Sequence, residues 1–231
     1  MPNYYAIYLN LESRICLVVG AGPVGARKAA GLLESGAKVR LVAKEMGAAA
    51  AALVKNPHVE VLQEAYHPHH LDSVLLAFAA TDNTSVNAQI VADARARSIP
   101  VNSAGSIEYE ERNRNGEFIV PATLRRGKLC VAISTSGASP KLAQRIKADL
   151  EALYTVEYSA YMELLEEMRS YIKEHVNDPV QKSLAFASLI GKESETVLRS
   201  LLRDEGREDA RTVAHREAVR IVEAALDSRS E

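Results

Sequence analysis

Short apolar runs alternate with amphipathic stretches over the first hundred residues. The runs have the length of strands buried on both faces, and they lie at 15–19, 38–43, 59–62, 74–80 and 100–102. Apolar residues recur at helical spacing between these runs, at 24–34 and at 85–97, and an alanine-rich helix is predicted from the end of the second run to about residue 55. This alternation predicts an α/β fold: a Rossmann-like, doubly wound parallel sheet with right-handed crossovers.

The pattern changes after Asn102. A charged polar segment at 108–116 predicts a loop, and two apolar runs at 117–124 and 128–133 predict a pair of strands. From Lys141 onward the spacing is almost entirely helical. We therefore expect a nucleotide-binding domain over 1–113, a small strand-pair module with a loop over 114–150, and a helical domain over 151–231.

Composition narrows the class of protein. The 231 residues are 47% hydrophobic and carry a net charge of −2, which argues against a general nucleic-acid binder. The N-terminal residues lack the pattern of a signal peptide, and no apolar run reaches 18 residues, so we expect no membrane span. The two cysteines are typical of buried apolar positions in a reducing compartment. A soluble, cytoplasmic protein is expected.

A glycine motif follows the first strand. Gly20, Gly22 and Gly25 have the G-x-G-x-x-G spacing between a predicted strand and a predicted helix. Gly20 permits a tight turn, Gly22 lets a pyrophosphate approach the backbone, and Gly25 lets the helix pack against the strand. Pro23 suits the first helical turn, where Val24 and its neighbours offer backbone N–H groups to phosphate oxygens. The motif predicts dinucleotide binding; a purely structural glycine turn is the alternative.

Five segments together resemble the precorrin-2 dehydrogenase family, which includes the N-terminal part of siroheme synthase. They are 18–28, 79–83, 101–102, 118–122 and the Ser-x-Ser-Gly-x-Ser-Pro loop within 133–140. The resemblance implies an oxidoreductase of siroheme (porphyrin) biosynthesis that uses NAD to convert the tetrapyrrole precorrin-2 to sirohydrochlorin. It also implies a homodimer held through the strand pair, with the helical domain closing over the substrate. The alternatives are a bifunctional dehydrogenase–ferrochelatase, and a module that binds nucleotide or tetrapyrrole without catalysis.

Further cofactor contacts are expected where strands end. The second strand ends at Ala43 and Lys44, where a Rossmann protein often has a carboxylate for the ribose hydroxyls, and Glu45 follows. Lys44 with Arg40 would suit the 2′-phosphate of NADP, but NAD is the preferred interpretation. Three polar residues at other strand ends are also expected near the cofactor: Thr81, Asp82 and Asn102. A helix cap supplied by Asp82, Asn83 or Thr84 is the alternative for this stretch.

The substrate carries many carboxylates, so its site needs hydrogen-bond donors and basic groups. The loop between the last strand and the helical region offers both, and the predicted contacts are Ser134, Thr135, Ser136, Gly137, Ser139 and Lys141. Basic residues also occur nearby at Arg125, Arg126, Lys128 and Arg145. Turn and cap chemistry is the alternative: Ser139 can cap a helix that begins at Pro140, and Arg125 with Arg126 can be a solvated turn.

The family pattern fails at the catalytic position. Family members carry an Asp shortly after the Asn of the fifth strand, and here alignment on Asn102 brings Gly105 to that place. The segment up to Phe118 is also longer than in the family, and its acidic residues are substitutes for a proton acceptor: Glu108, Glu110, Glu111 or Glu117. A solvated charged loop is the preferred interpretation for each, and no catalytic residue is assigned.

Three histidines at 67, 69 and 70 invite comparison with a metal site, because imidazoles bind transition metals. This segment precedes the fourth strand, away from the edge where ligands are expected. A surface loop is the preferred interpretation, and no metal site is predicted.

Overall fold

The computed structural model describes residues 4–103, 117–203 and 209–227. The chain divides into two compact units, Met1–Val120 and Pro121–Glu231. The predicted charged loop at 108–116 lies outside the described residues. The division into three parts remains a prediction, since the strand pair and the helices fall in the same compact unit.

The first unit contains a five-stranded parallel sheet. Its order is β3-β2-β1-β4-β5, in which the sequence reverses direction between β1 and β4. The strands are β1 (Ile15–Val19), β2 (Lys38–Val42), β3 (Val59–Leu62), β4 (Val74–Ala79) and β5 (Val101–Ser103). The predicted doubly wound α/β fold is confirmed, and the reversal beside β1 is the position where such sheets bind ligands.

Alternation along β1 builds a core on each face of the sheet. Cys16 and Val18 pack into one cluster with Ala29, while Leu17 and Val19 pack into the opposite cluster with other side chains. Successive side chains of a strand point to opposite faces, so a strand covered on both sides must be apolar throughout. Burial raises the pKa of the Cys16 thiol to about 11, despite the opposing effects of a backbone hydrogen bond from Leu76 and the charge of Arg14.

Within the described residues of the first unit, three α-helices and two short 3₁₀ turns accompany this sheet. The helices are α1 (Pro23–Leu33), α2 (Ala48–Ala51) and α3 (Thr84–Ala96), and the 3₁₀ turns are Leu53–Lys55 and Pro68–Leu71. The alanine-rich helix predicted to about residue 55 is wrong beyond Ala51, where one 3₁₀ turn takes its place. Asn56 is extended because it precedes Pro57, a position that disfavours helical backbone.

The second unit begins with two antiparallel strands, β6 (Ala122–Arg126) and β7 (Leu129–Ile133). The strand predicted over 117–124 is wrong for residues 117–121. Ala122 already pairs with Ile133, the last residue of β7, so the preceding residues have no opposing backbone in this sheet. Glu117 instead joins β5, since its N–H donates to the Val101 carbonyl at 2.9 Å.

Helices follow the strand pair in the described residues of the second unit, and their bounds are α4 (Pro140–Leu153), α5 (Tyr158–His175), α6 (Pro179–Leu189), α7 (Lys192–Leu202) and α8 (Ala210–Asp227). The core of α5–α8 includes Leu164, Met168, Ile172 and Leu198, each at most 1% exposed. The predicted cap is confirmed, because Ser139 Oγ accepts from Leu142 N at 3.2 Å and Pro140 begins α4. In the described ranges, no helix has the length and apolarity that a membrane span requires.

Candidate cofactor-binding site

The loop between β1 and α1 is built around two glycines that cannot be replaced without displacing backbone. Gly20 has φ +108°, and a Cβ there would lie 2.3 Å from the Ala80 carbonyl oxygen. A Cβ at Gly25 would lie 1.8 Å from the Gly20 carbonyl oxygen. These contacts are too short for any side chain, so both positions require glycine for turn geometry and close packing.

Gly22 differs from both. Its φ is −73°, which any residue adopts, and no heavy atom lies within 4 Å of an added Cβ. It is the N-cap of α1, which has no side-chain cap and no acidic residue in its first turn. The space at Gly22 therefore lies open where the helix presents unpaired N–H groups and the positive end of its dipole. This arrangement fits a dinucleotide pyrophosphate.

A cleft of about 890 Å³ surrounds this helix end. Its lining includes every predicted cofactor residue except Gly25 and Asn102, namely Gly20, Gly22, Pro23, Val24, Ala43, Lys44, Thr81 and Asp82. Gly25 is buried under the loop. The carboxyl ends of β1, β2 and β4 thus meet at one cavity large enough for a cofactor.

Asn102 has a structural partner. Its side-chain amide donates to the Phe118 carbonyl at 2.9 Å, which ties β5 to the segment after the undescribed residues. Its contact with a cofactor remains a prediction.

Thr81 and Asn87 fix the turn after β4. The Thr81 hydroxyl lies 2.7 Å from Asn87 Oδ1, and the Asn87 amide donates to the Thr81 carbonyl at 2.9 Å. The cap of α3 is Asn83, whose Oδ1 accepts from Ser85 N and Val86 N at 3.0 and 3.1 Å. Asp82 is exposed at the cleft and is not the cap.

The two basic residues considered for a 2′-phosphate lie in different surroundings. Lys44 is exposed and lines the cleft. Arg40 donates to Glu60 Oε2 at 2.7 Å and to the carbonyls of His70 and Asp72 at 2.9 and 3.1 Å. Because these three acceptors occupy its guanidinium, Arg40 stabilises the sheet edge and does not line the cleft.

Part of the cleft wall was not predicted to contact the cofactor, although Glu45 was noted after the second strand and Asn83 as a possible helix cap. The residues of this part are Glu45, Gly47, Glu64, Ala65, Tyr66, Asn83, Val86 and Gln89. Gly47 is close to the glycine loop, since a Cβ there would lie 2.7 Å from the Ala21 carbonyl oxygen. Tyr66 donates to Asp93 Oδ2 at 3.1 Å, and burial together with that carboxylate raises its pKa. The position of residues 64–66 directly after β3 was the available signal, since ligands bind beyond strand ends.

The histidine segment is only partly a surface loop. His67 and His69 are exposed, but His70 is 1% exposed. The candidate ligand atoms of Glu64, His69 and His70 lie within 4.8 Å of one another. Both ring nitrogens of His70 already have partners, His67 N at 3.0 Å and Glu64 Oε1 at 2.9 Å, so this ring is poorly suited to bind a metal.

Of the acidic residues considered as proton acceptors, Glu117 is the one within the described residues. Its two carboxylate oxygens accept from Arg95 Nε at 2.7 Å and from Val101 N at 2.9 Å. Burial acts to raise the pKa of Glu117, but these hydrogen bonds outweigh it and lower the pKa. Glu117 is therefore held as an ionised structural group. Gly105 and three other candidates lie outside the described residues: Glu108, Glu110 and Glu111.

The serine loop of the second unit is an ordered turn. Ser136 has φ +53° and Gly137 +87°. Ser134 Oγ accepts from Ser136 N at 3.0 Å, and Thr135 Oγ1 accepts from Ser139 N at 3.1 Å. A hydroxyl that accepts a backbone N–H still has its own O–H to donate, so the loop retains donors for carboxylates.

Basic residues near this loop differ in their surroundings. Lys141 is exposed in the first turn of α4. Arg126 donates to the Tyr154 carbonyl at 2.9 Å, and Lys128 is paired with Glu166. Lys141 is therefore more available to a substrate than Arg126 or Lys128.

The fold and the cleft define a dinucleotide-binding protein of the Rossmann class. A family model described as putative NAD(P)-binding matches residues 7–122. The chain belongs to this family, which confirms the expected nicotinamide cofactor. A second model, described as sirohaem biosynthesis protein central, matches residues 126–153.

Individual relatives agree with these matches. Siroheme synthase of Chromobacterium violaceum is 37% identical over 176 residues, which are 76% of this chain and 36% of that protein. Siroheme synthase of Methylobacillus flagellatus is 31% identical over 191 residues, 81% of this chain and 40% of that protein. The chain thus spans less than half the length of these relatives.

A solved structure, "SirC, precorrin-2 dehydrogenase", superimposes with a TM-score of 0.68 at 28% identity. The match covers 96% of this chain and 100% of that one. The resemblance drawn from the sequence motifs is confirmed.

Proposed function

We propose that this protein is an NAD-dependent precorrin-2 dehydrogenase of siroheme biosynthesis, which oxidises precorrin-2 to sirohydrochlorin as a cytoplasmic homodimer. The observation that carries the proposal is Gly22, an open position at a helix N-terminus inside a large cleft. The names of the relatives supply the substrate, because they are siroheme synthases and a precorrin-2 dehydrogenase.

The cofactor would be held mainly by backbone. The N–H groups at the start of α1, around Gly22 and Val24, would bind the pyrophosphate. Ala43 and Lys44 would contact the adenosine side, and Thr81, Asp82 and Asn102 would contact the remainder. Bound NAD supplies the acceptor for the hydride that leaves the tetrapyrrole.

Substrate carboxylates would be bound by the serine loop. Its donors would be the hydroxyls of Ser134, Thr135, Ser136 and Ser139, the backbone N–H of Gly137, and the ammonium of Lys141. The strand pair β6-β7 would serve as the dimerisation module. It belongs to the middle of the three proposed parts, residues 114–150.

Anaerobic incubation of the full chain with precorrin-2 and NAD tests the proposal. We expect NADH absorbance to appear together with the spectrum of sirohydrochlorin, and no turnover when NAD is left out. Binding of both ligands without NADH formation would contradict dehydrogenation and favour a carrier. A further spectral change after adding ferrous or cobaltous ion would identify chelation as an additional activity.

A further inference from the structure

A buried histidine holds one carboxylate at the wall of the cofactor cleft. Glu64 follows β3 and lines the cleft, with its side chain 49% exposed. His70 is 1% exposed, and its Nε2 lies 2.9 Å from Glu64 Oε1. The exposed carboxylate of Glu64 is therefore held by the buried ring of His70, which has little freedom to move.

The backbone fixes which ring nitrogen of His70 carries the proton. His67 N–H donates to His70 Nδ1 at 3.0 Å, so Nδ1 must be the acceptor nitrogen. A neutral imidazole then carries its hydrogen on Nε2, which donates it to Glu64. This hydrogen bond lowers the pKa of Glu64, so the carboxylate stays ionised and keeps acceptor capacity for a ligand.

Glu64 also lies on the adenosine side of the sheet. In Rossmann domains the pyrophosphate binds at the first helix, and the adenosine half extends toward β2, where a carboxylate commonly accepts from the ribose hydroxyls. Here β2 ends at Val42 and is followed by Ala43 and Lys44, so no carboxylate stands at its end, and β3 is its neighbour in the sheet. The next strand over thus supplies an oriented carboxylate that β2 lacks.

We propose that Glu64, positioned by His70, accepts hydrogen bonds from the ribose hydroxyls of the adenosine half of the dinucleotide. Its fixed negative charge opposes a 2′-phosphate, so the same residue selects NAD over NADP. This inference rests on the cofactor site of the proposed function. Glu45 is the rival, because it also lines the cleft and directly follows Lys44.

Binding of NADH and NADPH to the full chain, followed by nicotinamide fluorescence, tests the assignment. Glu64→Gln keeps an acceptor for His70 but removes the charge. We expect it to weaken NADH binding about tenfold and NADPH binding much less, so that the preference for NADH falls about tenfold. An unchanged ratio of the two dissociation constants would overturn the assignment, as would a loss of preference in Glu45→Gln and not in Glu64→Gln.

The reduced hypoxanthine analogue of NADH, which lacks the adenine amino group, distinguishes a contact of Glu64 with the ribose from a contact with the base. If Glu64 contacts ribose, Glu64→Gln weakens the analogue and NADH by the same factor. An effect on NADH but not on the analogue would place Glu64 against the adenine amino group and overturn the ribose assignment.

Variants of His70 test whether this residue positions Glu64. We expect His70→Leu to reproduce the altered ratio of NADH to NADPH affinity, and His70→Gln, whose amide can still donate, to preserve the wild-type ratio. Exposed His69→Leu is the matched control on the same turn and should leave the ratio unchanged. General destabilisation would weaken both dinucleotides alike. Failure of the wild-type protein to bind either one would contradict the proposed function, whereas unchanged ratios in the variants would contradict Glu64 and His70 alone.

Discussion

Position 22 has space for a side chain, yet the residue there is glycine. Gly20 and Gly25 are glycines because a Cβ would collide with backbone oxygens, but neither conformation nor packing imposes glycine at position 22. The remaining physical reason is the approach of a ligand to the backbone. The motif predicted all three roles, and the contacts distinguish the structural glycines from the binding one.

Gly22→Val should separate binding from folding. We expect NADH affinity to fall at least tenfold while the free energy of unfolding changes by about 1 kcal/mol, because the new side chain meets ligand and not protein. Fluorescence titration and urea unfolding measure the two quantities. Unaltered NADH affinity would contradict the phosphate site.

Gly31→Ala is the control in the same helix. Gly31 is exposed within α1, and no atom lies within 4 Å of an added Cβ. Alanine there should raise stability by about 0.5–1 kcal/mol, since it restricts the unfolded backbone, and should leave NADH affinity unchanged.

Helices and strands that are marked by their own apolar pattern could be predicted from the sequence. Segments whose structure depends on which strand they pair with could not. The five strands of the sheet follow from apolar runs, and α3 from its spacing and cap. The segment 117–121 is apolar enough for a strand, but β7 ends where β6 begins, so pairing excludes it.

The candidate site divides in the same way. The glycine loop and the ends of β2 and β4 could be predicted because their local sequence determines them. Glu64 and Tyr66 reach the cleft on the connection between β3 and β4, and Gly47 reaches it by packing on Ala21. The position of Glu64 and Tyr66 just after β3 is a usable signal, because ligands bind beyond strand ends. No sequence spacing indicates the contact of Gly47 with Ala21.

The start of α5 makes the second unit sensitive to acid. Glu157 is 7% exposed, and hydrogen bonds from Thr155 and from its own backbone N–H, together with Arg203, lower its pKa from 4.5 to about 2. A lowered folded-state pKa stabilises the protein above pH 4.5, and this contribution is lost as the pH falls toward 2. We expect Glu157→Gln to reduce stability near neutral pH and to flatten its decline between pH 4.5 and 2.

Urea unfolding followed by far-ultraviolet circular dichroism over this pH range measures the effect. Glu174→Gln replaces an exposed glutamate of the same helix and is the control. If wild type and Glu157→Gln lose stability in parallel as the pH falls, the contribution of Glu157 is refuted.

On the scale of the whole molecule, the division of the chain into two compact units should confine the effect of a ligand. The cleft lies entirely in the first unit, between residues 19 and 89. NADH at a hundred times its dissociation constant should stabilise the state that binds it by about 2.7 kcal/mol. We expect slower hydrogen exchange in β1, β2 and β4, and little change in α5–α8. Equal protection of both units would show that binding orders the entire chain, contrary to this expectation.

The burial of Cys16 makes the reactivity of its thiol a measure of how often the sheet opens. Its thiol is 0% exposed at the centre of the parallel sheet, and its raised pKa keeps it protonated at neutral pH. Thiolate is the reactive form, so alkylating reagents and peroxide act on this residue only after the sheet separates. Cys130 lies on β7 of the second unit and is half-buried. Each compact unit thus carries one thiol. The alkylation rate of buried Cys16 reports opening of the sheet, and the half-buried thiol of Cys130 is the internal comparison.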